Sequence, residues 1–308
     1  MQAHFHYTAT GWKVNFLSRA HGASVSWLRQ GMPSTGFWPY PVGEPGTKAE
    51  RPVPLDIQVK SRWTEIILAD PPRNVLDLNM LQALVAALDD LAAADAPLLL
   101  LKSTGRHFST GYAISDIPEE IFHRDAAVRA TAPFEQVMDR LVHYPSPVVA
   151  EIQGDAYGGA VELLACADLR VAARGVRLGV PPVRLGLVYS HTGLRRLMRG
   201  LGSPLVREML LLGEAISAER AEQAGFINRL TAAADLAVVT ADLLETMARG
   251  GPRALQGTRR ILNLLDEAEV LSTEALEEVG RLRHDSWSGD EFRQAREAFL
   301  AKKPSPFS

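Results

Sequence analysis

Glu162 is the residue whose position calls for a chemical explanation. In "GDAYGGAVELLACADLR", Gly154 to Arg170, it stands three residues after the Gly158-Gly159 pair, inside an otherwise apolar run. A glutamate is rarely buried unless something pairs with it or uses it. Two readings compete: a structural acid tied to an arginine or turned to solvent, or an acid whose proton affinity is raised by an apolar site, which suits proton transfer. The glycines bear on that choice. The first amides of a helix lack intrahelical partners and sit at its positive end, and glycine lets a ligand oxygen approach the backbone closely. A strand ending at Gly154, then Gly158-Gly159, then a helix is therefore able to hold an anion or oxyanion. A second glycine turn, "FSTGYAISD", follows another apolar run. Two such turns at one sheet edge can aim two N–H groups at one carbonyl oxygen and stabilise an enolate.

These groups need a frame, and the sequence supplies one from Leu55 onward. "LDIQVKS" and "WTEIILAD" alternate as a strand pair. "NVLDLNMLQALVAALDDLAAA" carries apolar residues at three- and four-residue spacing, which predicts an amphipathic helix. "PLLLLKS" is a short apolar run of strand length, as in a sheet covered on both faces. A helix near Ala126–Leu141, a strand "SPVVAEIQG", the Gly-Gly helix and a strand "LRVAA" follow, so strands and helices alternate as in an α/β core. After Gly186 the pattern reads as consecutive helices only, from "GLRRLMRGLG" to "TEALEEVGRLRHDS". The chain thus divides into an N-terminal extension over 1–54, a core carrying the site over 55–200 and a helical region over 201–308. Residues 33–52 are dense in turn signals, and the extension reads as a flexible segment or an arm on another subunit. Its proline and glycine oppose the amphipathic helix of a transit peptide.

Bulk properties narrow the classes. A net charge of −3 over 308 residues provides no field for nucleic acid. No apolar run approaches the roughly 20 residues of a membrane span. The single cysteine, Cys166, cannot form an intrachain disulfide and fits a reducing, cytoplasmic setting. No Cys/His spacing suits a metal, so no metal site is expected.

The segments "RHFSTGYAISDI", "PSPVVAEIQGDAYGGAVELLACADLRVAARGVRLGVPPVRLGL", "LLLGEAISAERAEQAGFINRL" and "FRQAREAFLAKKPSPF" resemble the crotonase (enoyl-CoA hydratase/isomerase) superfamily. The resemblance implies an α/β fold, a spiral of ββα turns with a helical C-terminal region that assembles trimers or hexamers. It also implies an acyl thioester substrate, of coenzyme A or an acyl-carrier protein, with no cofactor beyond the substrate's own coenzyme A. By position, the oxyanion amides are those of Tyr112 and Gly159, beside Gly111 and Gly158, and Glu162 matches one of two hydratase carboxylates. The second is replaced by Pro182 in "GVPPVRLGL", and proline can take no part in side-chain proton transfer. "GGAVE" with "PPVRLGLVYSHTG" is similar to the methylmalonyl-CoA decarboxylase branch, where a Tyr stands at the position of Tyr189. Decarboxylation needs an oxyanion hole and one proton donor. A hydratase or isomerase using Glu162 alone, and a binding protein without activity, remain the alternatives. His191 is a further acid–base candidate and Ser190 a lesser one. Asp116 and Asp168 read as turn or cap residues. Arg106 and Lys303 are candidates for the coenzyme A phosphates.

Overall fold

The computed structural model describes residues 3–8, 11–15, 54–113, 117, 119–123, 125–267 and 273–304. Asp116 and the turn-rich tract 33–52 lie outside the described residues, as does most of the 1–54 extension. Two short strands from its start, Ala3–Thr8 (β1) and Gly11–Asn15 (β2), form a hairpin, and β1 pairs antiparallel with Leu55–Val59 (β3).

β3 pairs with Trp63–Leu68 (β4), in which every residue after Trp63 is buried. The helix that follows runs over Leu78–Ala93 (α1) and starts later than the periodicity alone suggests. Asp77 caps it, its side chain accepting from the Met80 amide at 2.9 Å. Met80, Leu81, Leu84, Ala87 and Leu88 form its buried stripe. Three turns of one pattern then succeed one another. Leu98–Ser103 (β5), His107–Ser109 (β6) and the helices Ala126–Ala130 (α2) and Pro133–His143 (α3) make the first. Val148–Ile152 (β7), Asp155–Tyr157 (β8) and Gly159–Ala165 (α4) make the second. Leu169–Ala173 (β9), Arg177–Gly179 (β10) and His191–Leu201 (α5) make the third.

The longer strand of each turn joins one sheet and the three-residue strand joins another. The first sheet is ordered β12-β9-β7-β5-β4-β3-β1-β2 and the second β11-β10-β8-β6, with β12 at Arg229–Thr231 and β11 at Ile216–Ser217. Within each sheet β5, β7 and β9, and likewise β6, β8 and β10, pair in parallel. That is the expected spiral of ββα turns.

Two expectations need correction. The single helix near Ala126–Leu141 is two, because Pro133 lacks the N–H that would continue α2 and instead starts α3. Strands do not cease after Gly186: β11 and β12 close the edges of the two sheets, and at two and three residues they are too short to carry a period. The remaining elements are helical: Ser203–Leu212 (α6), Ala218–Gln223 (α7), Leu236–Met247 (α8), Pro252–Glu267 (α9), Thr273–Ser288 (α10) and Asp290–Leu300 (α11). Among the described residues no helix is long and apolar enough to cross a membrane.

Candidate active site

The two glycine turns meet. Gly111 has φ +80°, and a methyl group there would lie 2.3 Å from the Tyr157 carbonyl oxygen and 3.1 Å from the Gly159 nitrogen. The turn after β6 therefore rests against the turn after β8. Its shape is set from a distance by Asn74, fully buried, whose amide donates to the carbonyls of Thr104, His107 and Phe108. Ser109 Oγ donates to the Asn74 carbonyl and accepts from the Gly111 amide. Gly158, φ +55°, lets the chain turn from β8 into α4. Phe134 of α3 packs over this turn, 2.6 Å from where a Gly159 side chain would begin. The Tyr112 ring meets Phe134 edge-on at 5.3 Å.

A cavity of about 130 Å³ opens beside these turns. Tyr112, Gly158, Gly159, Glu162, Pro182 and Tyr189 all line it, together with apolar side chains from Ile117 to Val188. With Ser190, which lines it as well, seven sequence-predicted positions converge on one space. Thr110 of the Gly111 turn lines it too. His191, Arg106 and Lys303 do not line it. His191 opens α5 just behind Ser190, whose Oγ caps that helix by accepting from the Gly193 amide at 2.9 Å. Its Nδ1 is buried without a hydrogen-bond partner, and burial, reinforced by the charges of Arg129 and Arg283, lowers its proton affinity. Arg106 and Lys303 are exposed. Asp168 serves structure: it accepts from the Val148 amide and from Arg259.

Glu162 satisfies both of the competing readings at once. It is 1% exposed and sits in the first turn of α4. Arg196 of α5 donates to its Oε1 at 2.6 Å, and the Tyr189 hydroxyl donates to its Oε2 at 2.7 Å. The acid is paired with an arginine, and it also forms part of the cavity wall. Gly193 makes the approach of α5 feasible, since a methyl group there would lie 2.6 Å from Glu162 Oε2 and 2.5 Å from the Tyr189 ring. Burial raises the proton affinity of Glu162, the Arg196 charge opposes that rise, and the Glu135 charge adds to it. Burial, then the adjacent Glu162 charge, holds the Tyr189 phenol well above its ordinary range.

Sequence reasoning missed three groups here. Glu135 of α3 lines the cavity and accepts from both Arg196 terminal nitrogens at 3.1 Å and from Thr192 Oγ1 at 3.1 Å. Arg196 itself was one basic residue among several in "GLRRLMRGLG". Arg283 of α10 also lines the cavity, lies 5.0 Å from the Phe122 ring centroid and has its guanidinium lowered by burial to about 10. For Arg196 the signal existed: an acid in an apolar run demands a cation, and Arg196 lies three positions after Gly193 on the same helix face. Glu135 and Arg283 carry no comparable mark.

Comparison with known proteins places this geometry in context. Residues 59–308 match the family model described as enoyl-CoA hydratase/isomerase. Methylmalonyl-CoA decarboxylase of Escherichia coli is 26% identical over 236 residues, covering 76% of this chain and 89% of that protein. The 2,3-dehydroadipyl-CoA hydratase of the same organism is 32% identical over 201 residues, covering 64% and 76%. The structure of a methylmalonyl-CoA decarboxylase complexed with 2S-carboxypropyl-CoA aligns with a TM-score of 0.77 at 23% identity, over 83% of this chain and 98% of that one. This last likeness is one of fold.

Proposed function

Because the chain belongs to the enoyl-CoA hydratase/isomerase family, we propose that it is a lyase that decarboxylates a malonyl-type acyl-CoA thioester. The observation that carries this reading is the wall of the cavity. Val180, Pro181, Pro182, Leu185 and Leu187 line it beside Glu162 and Tyr189, with proline where a hydratase keeps its second acid. A substrate carboxylate drawn into such a space loses hydration, whereas carbon dioxide leaves without charge, so the lining favours the product. The thioester oxygen accepts from the Tyr112 and Gly159 amides. The bond from the α-carbon to the carboxylate breaks, its electron pair passes into the thioester as an enolate, and Glu162 then protonates the α-carbon.

The test is carbon dioxide release from methylmalonyl-, ethylmalonyl- and malonyl-CoA. Turnover of at least one is expected; no release from any of them removes the reading.

One observation favours a second reading. Glu135 places another carboxylate in the same cavity, so the loss of an acid at Pro182 does not leave Glu162 alone. A hydratase using both would consume crotonyl-CoA or 2,3-dehydroadipyl-CoA, followed as loss of enoyl absorbance. Both readings make the protein an enzyme, with the paired glycine turns and Glu162 at its centre.

A further inference from the structure

Glu162 and Glu135 come from different helices, α4 and α3, and both close on one guanidinium from a third, α5. Side-chain exposure is 1% for Glu162, 14% for Glu135 and 15% for Arg196, so water screens this cluster little. With both acids ionised, the hydrogen-bonded set holds one cation against two anions in a largely dry place, with Arg283 acting on both acids through its charge. Taking up one proton removes the imbalance. We propose that Glu162, Arg196 and Glu135 work as one unit that holds a single exchangeable proton beside the acyl α-carbon. Glu162 is the donor, and Arg196 and Glu135 are positioning residues.

The hydrogen bonds decide which acid carries the proton. Glu135 is held by both terminal nitrogens of Arg196 and by the Thr192 hydroxyl, a set that suits the anion. Glu162 receives a single Arg196 nitrogen on Oε1, and the proton belongs on Oε2, the oxygen shared with Tyr189. When the α-carbon is protonated, the Oε2–H bond breaks, the enolate electron pair forms the new C–H bond, and the resulting carboxylate recovers a proton from water entering the cavity. Other groups face Glu162 as well: the Tyr189 phenol from the loop before α5, the Cys166 thiol from the end of α4, and Arg283 from α10. One step further out, Arg129 acts on both Arg283 and His191, and Arg283 acts on His191. Of all these, Glu135 is the carboxylate that raises the proton affinity of Glu162.

This inference rests on the reading of Glu162 as the α-carbon donor, and its test separates the two. Infrared carboxyl titration of the substrate-free protein, with the Glu162→Gln spectrum subtracted, isolates the Glu162 signal. Glu135→Gln removes the neighbouring anion and should move the Glu162 titration to lower pH. Arg196→Gln removes the cation and should move it to higher pH. Glu135→Asp keeps the charge and should restore most of the wild-type behaviour, a recovery that a purely structural role of the longer side chain does not predict. Carbon dioxide release, measured in parallel, should fall about fivefold for Glu135→Gln, for a shift of about one pH unit, at the pH where wild-type Glu162 is half protonated. If Glu135→Gln leaves the Glu162 titration unmoved, or moves it upward, the coupled unit is wrong. If the titrations shift as stated while no malonyl thioester turns over, the unit stands and the decarboxylase reading falls.

Discussion

At the scale of single residues, Glu162 is costly to keep and is retained where it meets the cavity. An acid whose folded-state proton affinity is raised destabilises the fold above its unfolded titration range, because the folded chain must either hold the proton or bury a charge. The sign follows directly. Folded wild type binds more protons than unfolded wild type at mildly acid pH, so its stability declines as pH rises from there toward the folded-state value. Glu162→Gln removes that decline, its amide oxygen accepting from Arg196 and its NH2 group donating to the Tyr189 oxygen. The stability of the variant relative to wild type should therefore increase between pH 5 and pH 8 in urea titrations, while turnover drops about 10²–10⁴-fold. A variant that loses relative stability toward pH 8 contradicts this account. Gly193 is the second informative residue. A methyl group there would press on Tyr189 and Glu162 Oε2, so Gly193→Ala should cost about 1–3 kcal/mol and most of the activity. Glu162 and the two glycine turns were legible in the sequence because each breaks a local pattern, and Tyr189 only through its position in the family resemblance. Glu135 and Arg283 follow ordinary helix composition, and only the bonding of α3 to α5 and the place of Arg283 in the cavity wall give them a chemical setting.

At the scale of elements, legibility from Leu55 onward tracked length, whereas β1 and β2, six and five residues long, were not read as strands. β5, β7 and β9 are five or six residues each and bury nearly every side chain, so their apolar runs stand out. β6, β8 and β10 span three residues and carry no readable alternation, yet they form the second sheet and deliver both glycine turns. What replaces periodicity there is side-chain bonding from elsewhere. Asn74, at φ +47°, reaches three carbonyls around β6 and its Oδ1 accepts from the Asp70 amide. Asn74→Ala would strand those buried groups, and we expect a loss of roughly 2–4 kcal/mol in chemical denaturation. It should also lower kcat more than it raises KM, since the Gly111 turn shifts relative to Gly159 without changing the apolar lining. A variant with wild-type kcat would show that the turn keeps its shape unaided.

At the scale of the whole molecule, the C-terminal helices present a surface that the core does not cover. α9 is fixed on one side: Arg259, 5% exposed, donates to Asp168 and to the carbonyls of Leu141, Val142 and Tyr144. Gln256 and Asn263 extend that face with bonds to Ser146 and Val142. These positions recur at helical spacing, so the opposite face of α9 is held rigidly outward. On it Ile261 and Leu265 are 59% and 70% exposed, and Leu262 at its edge is 57% exposed. A fixed row of apolar side chains gains from being covered, and the trimer or hexamer that the family resemblance implies would supply further copies of the same chain to cover it. Wild type should then run in light scattering at a multiple of the 33.6 kDa chain mass. Leu262→Glu with Leu265→Glu should bring it to the mass of one chain without loss of helix by circular dichroism, because Arg259, Gln256 and Asn263 still anchor α9. If wild type remains a single chain at every concentration, this face is not the assembly surface and the apolar row needs another explanation.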